Sequence, residues 1–293
     1  MPEIEELILQ KAEIINKQMV AIASEYDFAA GTLKEAMEYT LFSEGKRIRP
    51  VLTLMVAEML SGDIEAACRT GVALEFIHSY SLIHDDLPVM DDDDYRRGKL
   101  SNHRVFGPGI AVLAGDGLLT RAFEILGDLM LAAETVVEII CLVAETAGCG
   151  GMVGGQVLDL EAEGRDIGLE ELRRIHRSKT GALFRASVLG GAYCSQAEKA
   201  ELVALEEFAD NLGLLFQIID DILDETGDSE KLGKEAGSDR ELDKSTYISL
   251  LGPDGARREA EKRAAGACGA LEIFGEEASD LRRLVDFVLK RDR

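Results

Sequence analysis

Apolar positions recur at helical spacing from the start of the chain. Ile4, Ile8, Ile15, Met19 and Ile22 share one face of a helix that runs to about Glu25. The next helix is predicted over residues 31–44 and is broken by Gly45. Pro50 suits the first position of a third helix, and Gly62 closes it. Asp63 is placed to cap a long fourth helix through Leu87, which Pro88 ends. Further helices are predicted over 109–130, 133–163, 168–193 and 197–225, with helical pieces beyond. Neither a strand-like alternation nor a repeat or low-complexity linker interrupts the succession. The pattern predicts an all-α, single-domain bundle over residues 1–293, with its site at helix ends around a deep central cavity.

Two stretches give that cavity a chemistry. His84 to Lys99 reads HDDLPVMDDDDYRRGK, with six aspartates in ten positions (Asp85, Asp86, Asp91 to Asp94), and it follows an apolar run from Ile77 to Ile83. Carboxylates packed so tightly repel one another unless solvent or cations neutralise them. Hard carboxylate oxygens suit Mg²⁺, which fills its remaining positions with water and substrate phosphates, and the neighbouring Arg96 and Arg97 suit phosphate oxygens. Residues 211–224, NLGLLFQIIDDILD, place Gly213, Gln217, Asp220 and Asp224 on one stripe of a helix that is otherwise apolar nearly all round. A buried helix of this kind turns its polar stripe into a cavity, and ionised aspartates there need a partner or a metal.

Charge and cysteine usage narrow the classes. The net charge of −23 argues against nucleic acid or an anionic membrane surface as partner, so a protein of this charge that handles phosphates must gather its cations locally. A hydrophobic content of 46% is enough for a sizeable core, while five prolines, no tryptophan and 5% aromatics favour helix. Five cysteines without a CxxC spacing fit free thiols in a reducing cytoplasm. The acidic, amphipathic start MPEIEELILQKAEII is not a signal peptide. The most apolar run, Leu131 to Ala147, carries Glu134, Glu138 and Glu145, so no membrane anchor is expected.

DDLPVMD at 85–91 and DDILD at 220–224 resemble the two aspartate-rich motifs of the short-chain trans-prenyltransferases, which make farnesyl and geranylgeranyl diphosphate. GKRIRP at 45–50, RRGK at 96–99, GGQVLDL at 154–160, SKTG at 178–181, LGK at 232–234 and DKSTY at 243–247 follow the same family order over nearly the whole chain. The resemblance implies the isoprenoid synthase fold, a homodimer, and Mg²⁺, three ions per site, held by Asp85, Asp86, Asp91, Asp220, Asp221 and Asp224. It places isopentenyl diphosphate on Lys46, Arg49, His78 and Arg97. The allylic diphosphate (dimethylallyl or geranyl) falls to Arg96, Lys179, Thr180, Gln217, Lys234 and Lys244. Asp92 to Asp94 are read as solvated or supporting, and Arg47 as structural.

His78 lies two turns before Asp85 on the same helix face. Tyr80 lies about 7.5 Å below Asp85 along the helix axis. With Ser81 it is the candidate that sets chain length, because an aromatic at this place in the family goes with C15 products. Gln156 and Asp159 are expected to underlie the metal site, and the glycines at 148–155 to allow close helix packing. Ile248 stands where many relatives have proline.

The expected product is farnesyl diphosphate, with geranylgeranyl diphosphate as the alternative. A terpene cyclase is disfavoured by GKRIRP and by DDILD. A phosphohydrolase built on His84-Asp85 needs more histidines than His78, His103 and His176 supply. A non-catalytic prenyltransferase subunit is disfavoured because the aspartates and basic residues are all present.

Overall fold

The structure is a computed structural model and describes residues 3–226 and 245–291. Lys234 and Lys244 lie outside the described residues. Helices α1 (Ile4–Ser24), α2 (Gly31–Leu41), α3 (Ile48–Met59) and α4 (Ile64–Asp85) follow the predicted order. Asp63 caps α4 by accepting the Ala66 N–H at 2.9 Å. Small and apolar residues on every side of α4, from Ala66 through Phe76 to Ile83, let other helices surround it. It packs against α1, α2, α3, α6 (Pro108–Gly127) and α10 (Ala182–Cys194).

The turn before α3 carries GKRIRP, and its shape comes from Arg47. This residue adopts a left-handed φ of 50° and is 5% exposed. Its guanidinium donates to Glu75 Oε1 (2.7 Å), Asn16 Oδ1 (3.1 Å) and the carbonyls of Leu41 (3.0 Å) and Ser43 (2.7 Å). A buried guanidinium is stable only when its donors are satisfied in this way. The expected structural role of Arg47 is therefore what its contacts show. Because Arg47 starts α3 early, Pro50 is the third helical residue instead of the first, still within the turn whose N–H groups need no helical partner.

Two predicted helices divide. The stretch 133–163 becomes α7 (Ala133–Ala147) and α8 (Met152–Ala162), separated by non-helical backbone at Gly148 and Gly151. By length and composition Ala133–Ala162 could cross a membrane. The break leaves helices of 15 and 11 residues, each packed against other helices, and both are short for a span. The stretch 168–193 becomes α9 (Leu169–His176), one π-helical turn over Arg177–Gly181, and α10. A two-residue β-ribbon, Tyr95–Arg96 with Lys99–Leu100, was not anticipated. Positive φ at Arg97 (53°) and Gly98 (74°) gives the tight hairpin turn that joins its strands. The short α5 (Asn102–Phe106) follows it.

The chain continues through α11 (Lys199–Thr226), α12 (Tyr247–Ala270) and α13 (Ser279–Lys290). Two apolar clusters form the core, one chiefly of α1, α2, α4, α6 and α7, the other of α3 and α9 to α13, and Tyr193 on α10 touches both. Helices α4 and α11, which carry the two aspartate motifs, pack on α10 and make little contact with each other. Thr246 begins α12 with a capping box, its hydroxyl accepting the Ser249 N–H at 3.1 Å. Ile248 is the second residue of that helix, where a missing N–H costs nothing, so proline and isoleucine are interchangeable there. Thr246→Ala is expected to lower unfolding free energy by about 1 kcal/mol in urea titrations, and no change would remove the cap from the account.

Candidate active site

The first acidic wall is the end of α4 folded back on itself. The Asp91 N–H donates to the Asp85 carbonyl at 2.9 Å, and those of Met90 and Asp92 to the Leu87 carbonyl at 2.8 and 3.1 Å. This loop sets Asp91 beside Asp85. Burial, with the charges of Asp91 and Asp86, pushes the Asp85 carboxyl up to about 6 against the pull of Lys179 and Arg96. Asp86 is 2% exposed, and burial raises it too, although Arg96 Nε donates to its Oδ1 at 2.8 Å. Against burial, the hydrogen bond and charges of Asp86, Asp93 and Asp85 hold Arg96 above its usual value. Asp93 pairs with Arg96 at 3.2 Å, Asp94 with Arg104 at 3.1 Å, and Asp92 is exposed.

A cationic patch lies next to this wall. Arg97 Nη1 donates to the Glu44 carbonyl at 2.8 Å, and a Cβ on Gly45 would come within 2.5 Å of that nitrogen. The glycine of GKRIRP thus makes room for the arginine of the ribbon. Arg49 lies 5.4 Å from the Phe184 ring centroid, and its Nε is buried without a partner. Burial lowers both Arg49 and Arg97, with each repelling a neighbouring arginine. Burial and then the charges of Arg49, Arg97, Arg96 and Arg47 push His78 well below its usual value, so its ring is neutral at neutral pH. Lys46 is exposed, with its ammonium 6.0 Å from the Phe287 ring centroid.

The second wall is built from α11 and the π turn. Thr180 donates to Gln217 Oε1 at 2.8 Å, fastening SKTG to α11, while Arg177 on the outside pairs with Asp210 at 2.8 Å. Gly155 on α8 meets the backbone of Lys179 so closely that a Cβ would lie 2.2 Å from its nitrogen. Lys179 then reaches Asp159 Oδ2 at 2.6 Å. Burial lowers Lys179, but Asp159, Asp85 and Asp91 together leave it above its usual value. Asp159, expected to underlie the metal site, thus supports Lys179, which also feels the charges of Asp85 and Asp91. Asp220 is half-exposed and pairs with Arg291, whereas Asp221 is buried and accepts the Tyr247 N–H at 2.8 Å, tying α11 to the start of α12. Asp224 is also buried.

Tyr80 is 5% exposed, edge-on to His84 with centroids 5.7 Å apart, and burial followed by the charge of Asp85 raises its hydroxyl to about 12. It therefore lies under the first wall as its spacing predicts. Ser81 donates to the His78 carbonyl at 2.9 Å. His84 meets the Val112 carbonyl at 3.0 Å and His103 meets Ser101 Oγ at 3.1 Å, so neither ring is directed to the aspartates.

A Polyprenyl synthetase family model matches residues 30–277. The chain belongs to the polyprenyl synthetase family. It is a prenyltransferase. Farnesyl diphosphate synthase of Micrococcus luteus is 40% identical over 290 residues, 99% of this chain and 100% of the relative. Geranylgeranyl diphosphate synthase of Cyanophora paradoxa is 43% identical over 261 residues, 88% of this chain and 87% of the relative. The crystal structure of a geranyltransferase from Helicobacter pylori, complexed with magnesium and isoprenyl diphosphate, superposes with a TM-score of 0.86 at 29% identity and covers 99% of each chain.

The polyprenyl synthetase site fits Mg²⁺ by the chemistry of its donors. Asp85, Asp91 and Asp220 offer hard oxygens, and burial disfavours the ionised form of Asp85 so long as no cation compensates it. Among the described residues no three acidic, histidine or cysteine side chains form a ready-made cage. Sequence reasoning missed Arg291, a single basic residue that no motif marks, and it missed Glu75, whose role shows only through its buried pair with Arg47.

Proposed function

We propose that this prenyltransferase condenses isopentenyl diphosphate head to tail with dimethylallyl and then geranyl diphosphate, releasing diphosphate and giving farnesyl diphosphate. The observation that carries this is the adjacency of two unfavourably charged groups: carboxyls raised by burial at Asp85 and Asp86, and guanidinia lowered by burial at Arg49 and Arg97. A metal–diphosphate complex relieves both at once, because its cations meet the carboxylates and its anions meet the arginines.

In this reading Asp85, Asp91 and Asp220 hold Mg²⁺, three ions per site, with Asp86, Asp221 and Asp224 supporting their positions. Bound Mg²⁺ supplies neutralisation of the charge that develops on the departing diphosphate. Arg96, Lys179 and Thr180 orient the allylic diphosphate. Lys46, Arg49, Arg97 and the neutral ring of His78 hold isopentenyl diphosphate with its double bond towards the allylic carbon. The C–O bond breaks, the double bond attacks the allylic cation, and a proton leaves to the released diphosphate. The five free thiols support placement in the cytoplasm, and the exposed Val112, Leu113 and Val137 on α6 and α7 support a homodimer.

The test supplies isopentenyl and dimethylallyl diphosphates with Mg²⁺ and measures product carbon number. A C15 diphosphate is expected. Absence of condensation contradicts the function, and a C20 product contradicts only the length. Tyr80→Ala is expected to shift the main product from C15 to C20 or longer, and an unchanged C15 product removes Tyr80 as the floor.

A further inference from the structure

A side chain outside every motif reaches into the second wall. Arg291, one turn beyond Phe287 and just after α13, sends Nη2 to the Phe216 carbonyl at 2.9 Å and to Asp220 Oδ1. Its guanidinium carbon lies 4.0 Å from the centroid of the Phe216 ring. The Arg291 side chain is 8% exposed while that of Asp220 is 43% exposed, and Arg291 Nε is buried without a partner. The carboxylate placed to take a metal is thus already engaged by an internal cation. That cation is itself imperfectly satisfied, and an unmade buried hydrogen bond weakens the hold.

Space to withdraw lies alongside. Arg291, Lys46, Arg283 and Lys290 line a cavity of about 670 Å³ between α1 and α13, and Glu3, Glu5 and Asp286 line it too. A guanidinium leaving Asp220 would find room there and the carboxylates of Glu3 and Glu5. A divalent cation arriving at Asp220 repels the guanidinium at short range, which drives that withdrawal.

We propose that Arg291 is a resident counterion of the second aspartate motif, seated on Asp220 in the empty site and displaced into the α1–α13 cavity when a divalent cation arrives with a diphosphate. The inference rests on the reading of Asp220 as a metal-holding carboxylate. Arg291 is a positioning residue in this account: it holds Asp220 oriented, and it sets the metal concentration at which the site fills.

The test titrates Mg²⁺ calorimetrically into the full chain at fixed inorganic pyrophosphate, for wild type, Arg291→Gln and Lys290→Gln. Glutamine keeps a polar stem without the charge, and Lys290 is an exposed cation that pairs with Asp286. Arg291→Gln is expected to tighten apparent Mg²⁺ binding about tenfold by removing the competing charge, with Lys290→Gln near wild type. In wild type, hydrogen exchange over residues 286–291 should quicken when Mg²⁺ and pyrophosphate are added together. Unchanged or weaker Mg²⁺ binding by Arg291→Gln, equal tightening by Lys290→Gln, or slower exchange on ligand addition each overturns the displacement. Failure of wild type to bind pyrophosphate in a Mg²⁺-dependent way overturns the reading of Asp220 as well.

Discussion

Asp220→Ala and Asp85→Ala are each expected to lower kcat about a thousandfold, the equivalent of about 4 kcal/mol of transition-state stabilisation. The two carboxylates sit on α4 and α11, which both pack on α10. Neither can replace the other, because Asp85 is neighboured by Asp91 and Lys179, and Asp220 by Arg49 and Arg291. The loss should appear mainly in kcat, since the Mg²⁺ these carboxylates are proposed to hold would neutralise charge that is largest as the diphosphate departs. Steady-state kinetics at saturating substrate check it. Turnover within tenfold of wild type in either variant would remove that residue from the metal-holding set.

Asp85→Asn should do something a purely structural aspartate would not. The metal-free protein is expected to become more stable by about 2–3 kcal/mol at pH 7.5, while losing turnover. Burial and the neighbouring carboxylates raise the folded-state pKa from 3.8 to about 6. A carboxyl with a raised folded-state value binds protons more tightly in the native state than in the unfolded one. Its ionisation therefore costs stability above about pH 6, the cost fades between about 6 and 3.8, and it is absent below that. Urea denaturation of wild type and variant across this range should show curves that converge towards pH 4. A variant less stable than wild type at pH 7.5 would mean that Asp85 is satisfied in the metal-free fold. A group that stabilises catalysis while destabilising the fold is what a strained binding site predicts.

The parts of this site legible in the sequence are those that repeat a local rule. Asp63 capping α4, the end of α4 ahead of Pro88 and the one-face spacing of His78 and Asp85 all follow from local rules. Contacts across the bundle were less accessible. Arg47 and Glu75 are 28 positions apart, and nothing local marks them as a buried pair. The π turn that divides 168–193 is met by Gly155 and Gln217, contacts that exist only in three dimensions. Arg291 reaches Asp220 across 71 positions, so no local motif could reveal it. The split between α7 and α8 was foreshadowed by the glycines at 148–151, but those were assigned to close packing. Gly155 does have that role, whereas Gly148 and Gly151 turn the chain.

We propose that the Asp85 and Asp86 carboxyls and the Arg49 and Arg97 guanidinia are left unfavourably charged until metal and diphosphate bind between them. Thermal denaturation of wild type with Mg²⁺ alone, inorganic pyrophosphate alone and both together reads this directly. At ligand concentrations about a hundredfold above the dissociation constant, the combination should stabilise by about 3 kcal/mol and raise Tm by roughly 5–10 °C, with each component alone giving far less. Shifts from the two separate components that simply add up to the combined shift would contradict it.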